Sequence, residues 1–169
     1  MMEPPGGTAL VEESIAEASF AKLRQGILGF MNETHFKRFM MILRSAGFVD
    51  SSMIRSQNAI NAAYILYLTL CKGGEKPSKI ESLVRKWFVL SVLTSRYSAS
   101  PETQFDIDIR RIHEQGASEY IQDVTNAELS DAFWEFGLPQ QLNTSVASSP
   151  MFNVFRAAQV KMQDKGFLS

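Results

Sequence analysis

Cysteine is nearly missing from this chain: Cys71 is the only one. No disulfide can form within the chain, which suits a reducing compartment. Cys71 closes the longest apolar run, Ala62–Cys71, and reads as a packing residue. That run falls far short of the roughly 20 residues a membrane span needs. The N-terminus is acidic and lacks the basic start and apolar stretch of a secretory signal. The expectation is therefore a cytoplasmic protein with no membrane partner.

Several chemistries are missing too. No segment alternates apolar and polar residues between β-branched clusters, so strands are not expected. There is no G-x-x-x-x-G-K-[ST] loop and no strand followed by G-x-G-x-x-G to cradle phosphates. A G-x-S-x-G nucleophile elbow is absent. The two histidines, His35 and His113, lie far apart, and neither sits in an H-x-x-x-H or C-x-x-C setting. A zinc site needs about three or four such ligands. His35 reads as a surface residue. These absences lead to the expectation of no catalytic residue, no metal, no cofactor and no enzymatic activity.

What is present is globular. Hydrophobic residues make up 45% and charged residues 21% of the 169 positions, enough to bury a core without staples. The expected fold is all-α, a single domain of about seven or eight packed helices over residues 11–169, behind a disordered segment at 1–10.

Periodicity and caps place the helices. The first runs over about 11–30, with Ile15, Ala18, Leu23, Ile27 and Phe30 as a stripe, weakened by Gly26 and Gly29. Asn32 caps a second helix that buries Phe36, Phe39, Met40 and Leu43 and stops at Gly47. The third, over about 56–72, is apolar almost all round and reads as the central, buried one. Ser78 and Glu81 suggest a capping box for the fourth, over about 79–94, which buries Leu83, Trp87 and Leu90. Ser100-Pro101-Glu102 starts the fifth, over about 101–115, with Phe105, Ile109 and Ile112 on one face. A short sixth carries Tyr120, Ile121 and Val124. A seventh, capped by Thr125 or Asn126, buries Leu129, Phe133 and Phe136 and stops at Gly137-Leu138-Pro139. Residues 140–149 read as a loop. A last helix from Ser149-Pro150 turns Phe152, Phe155, Ala158 and Met162 inward.

The net charge of −1 argues against a generic nucleic-acid binder, but the charges are segregated. Residues 37–101 hold ten basic side chains against three acidic ones, and residues 102–135 hold two against nine. Either the two segments pair in the fold, or the basic one offers a face to phosphates or to an acidic partner. The candidate nucleic-acid or anion ligands are Lys79, Arg85, Lys86 and Arg96. Asp106 and Asp108 point to different sides of a helix and cannot share a metal. Asp106 is expected to pair with Arg110, and Asp108 with Arg111. Trp87-Phe88 and Phe133-Trp134 are aromatic pairs. Each is either core on two faces or leaves one ring exposed for docking.

The most unusual stretch surrounds Arg96, Tyr97, Ser98, Ser100, Glu102 and Thr103. It reads either as a polar hinge between helices or as an anion site, with Arg96 beside the open start of the fifth helix. From Arg85 to Thr103, with a tryptophan helix, an Arg-Tyr-Ser turn and Ser-x-Glu-Thr opening the next helix, then Asp106 and Asp108, the chain resembles a known family. The family that it resembles is domain of unknown function 262, the GmrSD-like modification-dependent restriction proteins, in its helical part. The clear match covers about residues 85–112, and a looser one extends through 30–70 and 148–159. Members of that family look like a nucleotide-hydrolysing domain with an Asp-Gly-Gln-Gln-Arg motif, many followed by a histidine-containing nuclease. Neither signature occurs here, so no catalytic residue carries over. The resemblance implies a helical module of a larger defence protein. Its partners would be adjacent domains of the same or a partner chain, with DNA backbone as a further contact. The alternative is a stand-alone protein-interaction or oligomerisation scaffold.

Overall fold

A computed structural model describes residues 7–166, with side chains described for residues 11–163. Eight α-helices appear among the described residues, and no strand. They are α1 (Gly7–Phe30), α2 (Glu33–Ser45), α3 (Gln57–Lys72), α4 (Pro77–Leu93), α5 (Pro101–Gln115), α6 (Ala117–Glu128), α7 (Leu138–Thr144) and α8 (Pro150–Gly166). A 3-10 turn, Ser51–Met53, precedes α3, and a π-helical turn, Phe133–Gly137, precedes α7. The all-α expectation holds. No described helix is long and apolar enough to cross a membrane.

The chain divides after Lys37 into two compact units. The disordered segment expected at 1–10 is corrected for residues 7–10, which begin α1; residues 1–6 lie outside the described residues. In the first unit, Asn32 accepts from the His35 backbone N–H at 3.0 Å, so it caps α2 as its residue type suggests. His35 is half-buried, not a plain surface residue. Phe36, expected inward, is 46% exposed.

The second unit is built around α3 and α4. On α3, Ala59, Ala62, Ala63, Tyr64, Leu66, Tyr67 and Leu70 are buried, and Cys71 packs against the core at its end. However, α4 is the helix that packs on α3, α6 and α8. Its sequence explains why: Trp87 and Phe88 are both about 1% exposed and serve different sides of the helix. Phe88 meets Phe48 edge-on at 5.0 Å, while Trp87 meets Tyr120 of α6 at 5.9 Å. The Trp87-Phe88 pair is therefore core on two faces. Phe39 of α2 joins the same core against Tyr64 and Tyr67.

Gly47 ends α2 as expected, with φ +100°. Phe48 N–H returns to the Leu43 carbonyl, closing the end of the helix. A side chain is excluded there for a second reason. A Cβ on Gly47 would fall 2.1 Å from the Ala157 carbonyl oxygen of α8.

Four local readings are corrected. The helix α4 begins with Pro77 at its first position and Lys76 as its cap, so Ser78 and Glu81 form no capping box. Thr125 and Asn126 lie inside α6 rather than capping a later helix. Pro139 does not stop the chain: it follows directly on the π-helical turn as the second residue of α7, and α7 occupies much of the expected loop. In α8 the inward residues are Met151, Asn153 and Ala157, while Phe155 and Met162 are 44% and 73% exposed.

Candidate functional site

The polar centre of the second unit grows from the end of α4. Ser95 takes a left-handed conformation, φ 51°, and Arg96 N–H returns to the Ser91 carbonyl. A non-glycine residue in this region is uncommon and costs backbone energy. The reversal brings Arg96 and Tyr97 back under the helix they follow. Ser98 Oγ donates to the Ser95 carbonyl at 2.7 Å and secures the turn. From α3, Asn58 donates to the Tyr97 carbonyl at 3.2 Å.

Opposite the turn, α5 presents Asp108, which is 2% exposed. The buried stripe of α5 is Phe105, Asp108 and Ile112, spaced i, i+3, i+7. Ile109, expected inward, is 50% exposed. The expected Asp108–Arg111 pair is corrected: Asp108 faces the interior, and Arg111 lies 3.9 Å from Glu114. Asp106 does pair with Arg110.

Asp108 is saturated. Arg96 grips it side-on, Nε to Oδ2 at 3.0 Å and Nη2 to Oδ1 at 2.5 Å. Tyr97 donates to Oδ2 and Tyr120 to Oδ1, each at 2.7 Å, and Gln104 donates to Oδ1 at 2.9 Å. Arg96 is occupied as well. Its Nη1 donates to Glu128 of α6 and its Nη2 to the Tyr120 hydroxyl at 2.8 Å, and its guanidinium carbon lies 5.1 Å from the Trp87 ring centre. Tyr97 stacks on Phe105 with ring centres 4.7 Å apart.

The electrostatics follow from this arrangement. Burial pushes the Asp108 carboxyl up, but the donors Arg96, Tyr97 and Tyr120 and the Arg96 charge outweigh it, and the group sits below the usual carboxylate range. Burial, with the neighbouring carboxylate, raises the Tyr97 phenol and pushes Tyr120 up to about 12. Asp108 is thus held as a carboxylate, and Tyr97 and Tyr120 as neutral phenols, near neutral pH. A fully bonded carboxylate has no lone pair left for a metal or a substrate proton.

The motif residues therefore divide. Arg96 and Tyr97 enter the network, Ser98 holds the turn, and Ser100, Glu102 and Thr103 are exposed beside it. Ser100 caps α5 without a side-chain bond. The reading of Arg96 as an anion ligand is corrected: its side chain is 8% exposed and its charge is met by Asp108 and Glu128. This pairing is also how part of the basic segment meets the acidic one.

Lys79, Arg85 and Lys86 do not gather around Arg96. Lys79 pairs with Glu75 at 2.8 Å, Arg85 donates to Ser45 Oγ at 3.1 Å, and Lys86 donates to Gln122 of α6 at 2.9 Å. The partners of Arg85 and Lys86 are neutral side chains, so no carboxylate among these contacts offsets them. Of the aromatics considered for docking, Phe88 is buried, while Trp134 is 47% exposed.

A cleft of about 120 Å³ lies beside the network, between α3 and α5. Ile65, Leu66, Thr69, Phe105, Ile109 and His113 line it together with Asp108 and Tyr97. Among the described residues no group of His, Cys, Asp and Glu is arranged to hold a metal ion. Asp108, Tyr120, Gln104 and Glu128 are the members of the network that sequence reasoning missed. One signal was available for Asp108, an acid placed on the apolar stripe between Phe105 and Ile112.

No family model, curated protein or solved structure matches the chain.

Proposed function

We propose that this chain is a non-catalytic helical module of a GmrSD-like restriction or defence protein, working in the cytoplasm, that couples a nucleotide-hydrolysing domain to a nuclease domain. One observation carries the reading. The residues that make up the resemblance, Arg96 and Tyr97 of the turn and Asp108 downstream, close on one another in a saturated, buried network. Residues used in this way give a module its shape. They fix the corner between α4 and α5 and lock α6 onto it, so a displacement at one end of the unit reaches the other as a rigid-body movement. A rigid corner of this kind suits a connector between two working domains.

Contact with DNA backbone belongs to the same proposal and falls to Arg85 and Lys86, with Lys79 as a third, weaker candidate because Glu75 offsets its charge. Anisotropy of labelled duplex DNA against salt tests it. Affinity is expected to fall linearly with the logarithm of salt, and replacing Arg85 and Lys86 by glutamine should lower that slope by about two. Binding flat in salt, or none at low salt, overturns the DNA contact. The coupling role is tested in the source genome and then in the tube. An Asp-Gly-Gln-Gln-Arg domain should be encoded in the same or an adjacent reading frame, and its nucleotide hydrolysis should change when joined to this module. No such domain, or an unchanged rate, overturns it.

A further inference from the structure

The helix α1 presents apolar side chains to solvent along most of its length: Phe20 is 68% exposed, Leu23 61% and Ile27 49%. With Ala16 they follow a 4-3-4 spacing, the seam that one helix offers to another. The charges of α1 are divided about the middle of this seam. Glu12, Glu13 and Glu17 lie in its N-terminal half, and Lys22 and Arg24 in its C-terminal half.

Nothing inside the helix explains that division. The first turn holds no acid and the last turn no base, so the charges stand away from the ends where the helix dipole acts. No acid stands three or four residues from a base within α1, and Glu13 and Glu17 are like charges at i,i+4. Among the described residues none of the five takes part in an ion pair within the chain.

We infer that α1 is a self-association element that pairs antiparallel with α1 of a second copy of this chain. Antiparallel pairing about the middle of the seam stacks Phe20 on Leu23 of the other copy and Ala16 on Ile27, each twice by symmetry. It sets the acidic half of each helix beside the basic half of the other. Glu17 and Arg24 occupy the same flank of the seam, so each Glu17 meets an Arg24 across the interface. A parallel pair would instead bring Glu12 of one copy towards Glu17 of the other. The charge pattern therefore selects the direction of pairing as well as the partner. The inference goes beyond the module reading above and stands whether or not that reading holds.

Sedimentation equilibrium of the full chain over a wide concentration range is the test. The expected result is a reversible species of twice the 19.0 kDa chain mass. Leu23→Asp should weaken it at least about a hundredfold, with the far-UV circular dichroism of the chain retained. Glu17→Arg and Arg24→Glu should each weaken it about tenfold, and the double exchange should restore it. A chain that stays monomeric overturns the inference and leaves the seam to a different protein. A dimer indifferent to Leu23→Asp overturns the use of α1. A dimer that the double exchange fails to restore overturns the antiparallel pairing.

Discussion

Arg96 and Asp108, twelve residues apart in the chain, meet side-on through two parallel hydrogen bonds in a place where Asp108 is 2% exposed. A forked donor matched to a carboxylate is the strongest geometry an ion pair can adopt. Burial makes each partner depend on the other. Arg96→Met leaves a buried carboxylate without its counter-charge, and the expected loss is about 3–5 kcal/mol. Asp108→Leu should cost a similar amount, while the double variant should be more stable than the sum of the singles by about 1–3 kcal/mol. Urea unfolding of the four proteins closes this cycle; strictly additive losses would contradict the coupling.

The same network makes stability depend on pH at both ends. Asp108 titrates below its ordinary 3.8 in the folded chain. Its contribution is therefore fully present above about that value and drains away as pH falls through the folded-state value. Tyr120 is pushed from 10.0 up to about 12. Its contribution is complete below pH 10 and is lost as pH rises towards 12. Unfolding midpoints measured across pH should fall at both limbs. Asp108→Asn should flatten the acid limb, and Tyr120→Phe should make the alkaline one shallower, Tyr97 supplying the remainder.

Gly47 and Gly74 both have positive φ, +100° and +71°, but only Gly47 has a backbone neighbour in the path of a Cβ. Gly74→Ala should cost about 1 kcal/mol, the backbone term alone. Gly47→Ala adds a collision with the Ala157 carbonyl and should cost about 3 kcal/mol or more, since α8 must shift to admit it. Thermal unfolding of the two variants separates the terms, and equal losses would show that α8 yields freely.

Ser91 is 2% exposed and its hydroxyl has no hydrogen-bond partner. A buried hydroxyl left without a partner costs about 1–3 kcal/mol relative to an apolar group. Ser91→Ala should therefore raise stability by about 1 kcal/mol in the same assay, and a loss would reveal a bonded partner.

The elements that were legible in the sequence are those set by local chemistry. Asn32 capping α2, Gly47 ending it and Pro101 opening α5 each act within a few residues. The register of α5 was not legible in the same way. Ile109 and Asp108 are adjacent, and hydropathy favours Ile109 inward. What turns Asp108 inward is a cation twelve residues upstream and a hydroxyl on α6, neither of which has a helical period. The region after α6 failed for a related reason. Gly137-Leu138-Pro139 reads as a stop, but the π-helical turn ahead of Leu138 carries the helical backbone on into α7. Phe136, at 69% exposed, also breaks the rule that aromatic residues mark the buried face. Of the polar centre, the turn residues drew notice from their pattern, but their partners Tyr120 and Glu128 are ordinary members of α6 until the chain folds.

Because one carboxylate accepts from the turn after α4, from Gln104 on its own helix and from Tyr120 on α6, these three pieces cannot fray one at a time. Opening any of them strands a charge that the others still enclose. Their backbone amides should consequently share a single opening free energy in hydrogen exchange, so that protection along α5 and α6 rises and falls together despite the exposed outer face of α5. A helix with three residues out of fifteen on its inner stripe would ordinarily exchange early. Here the time it stays closed is set by Asp108.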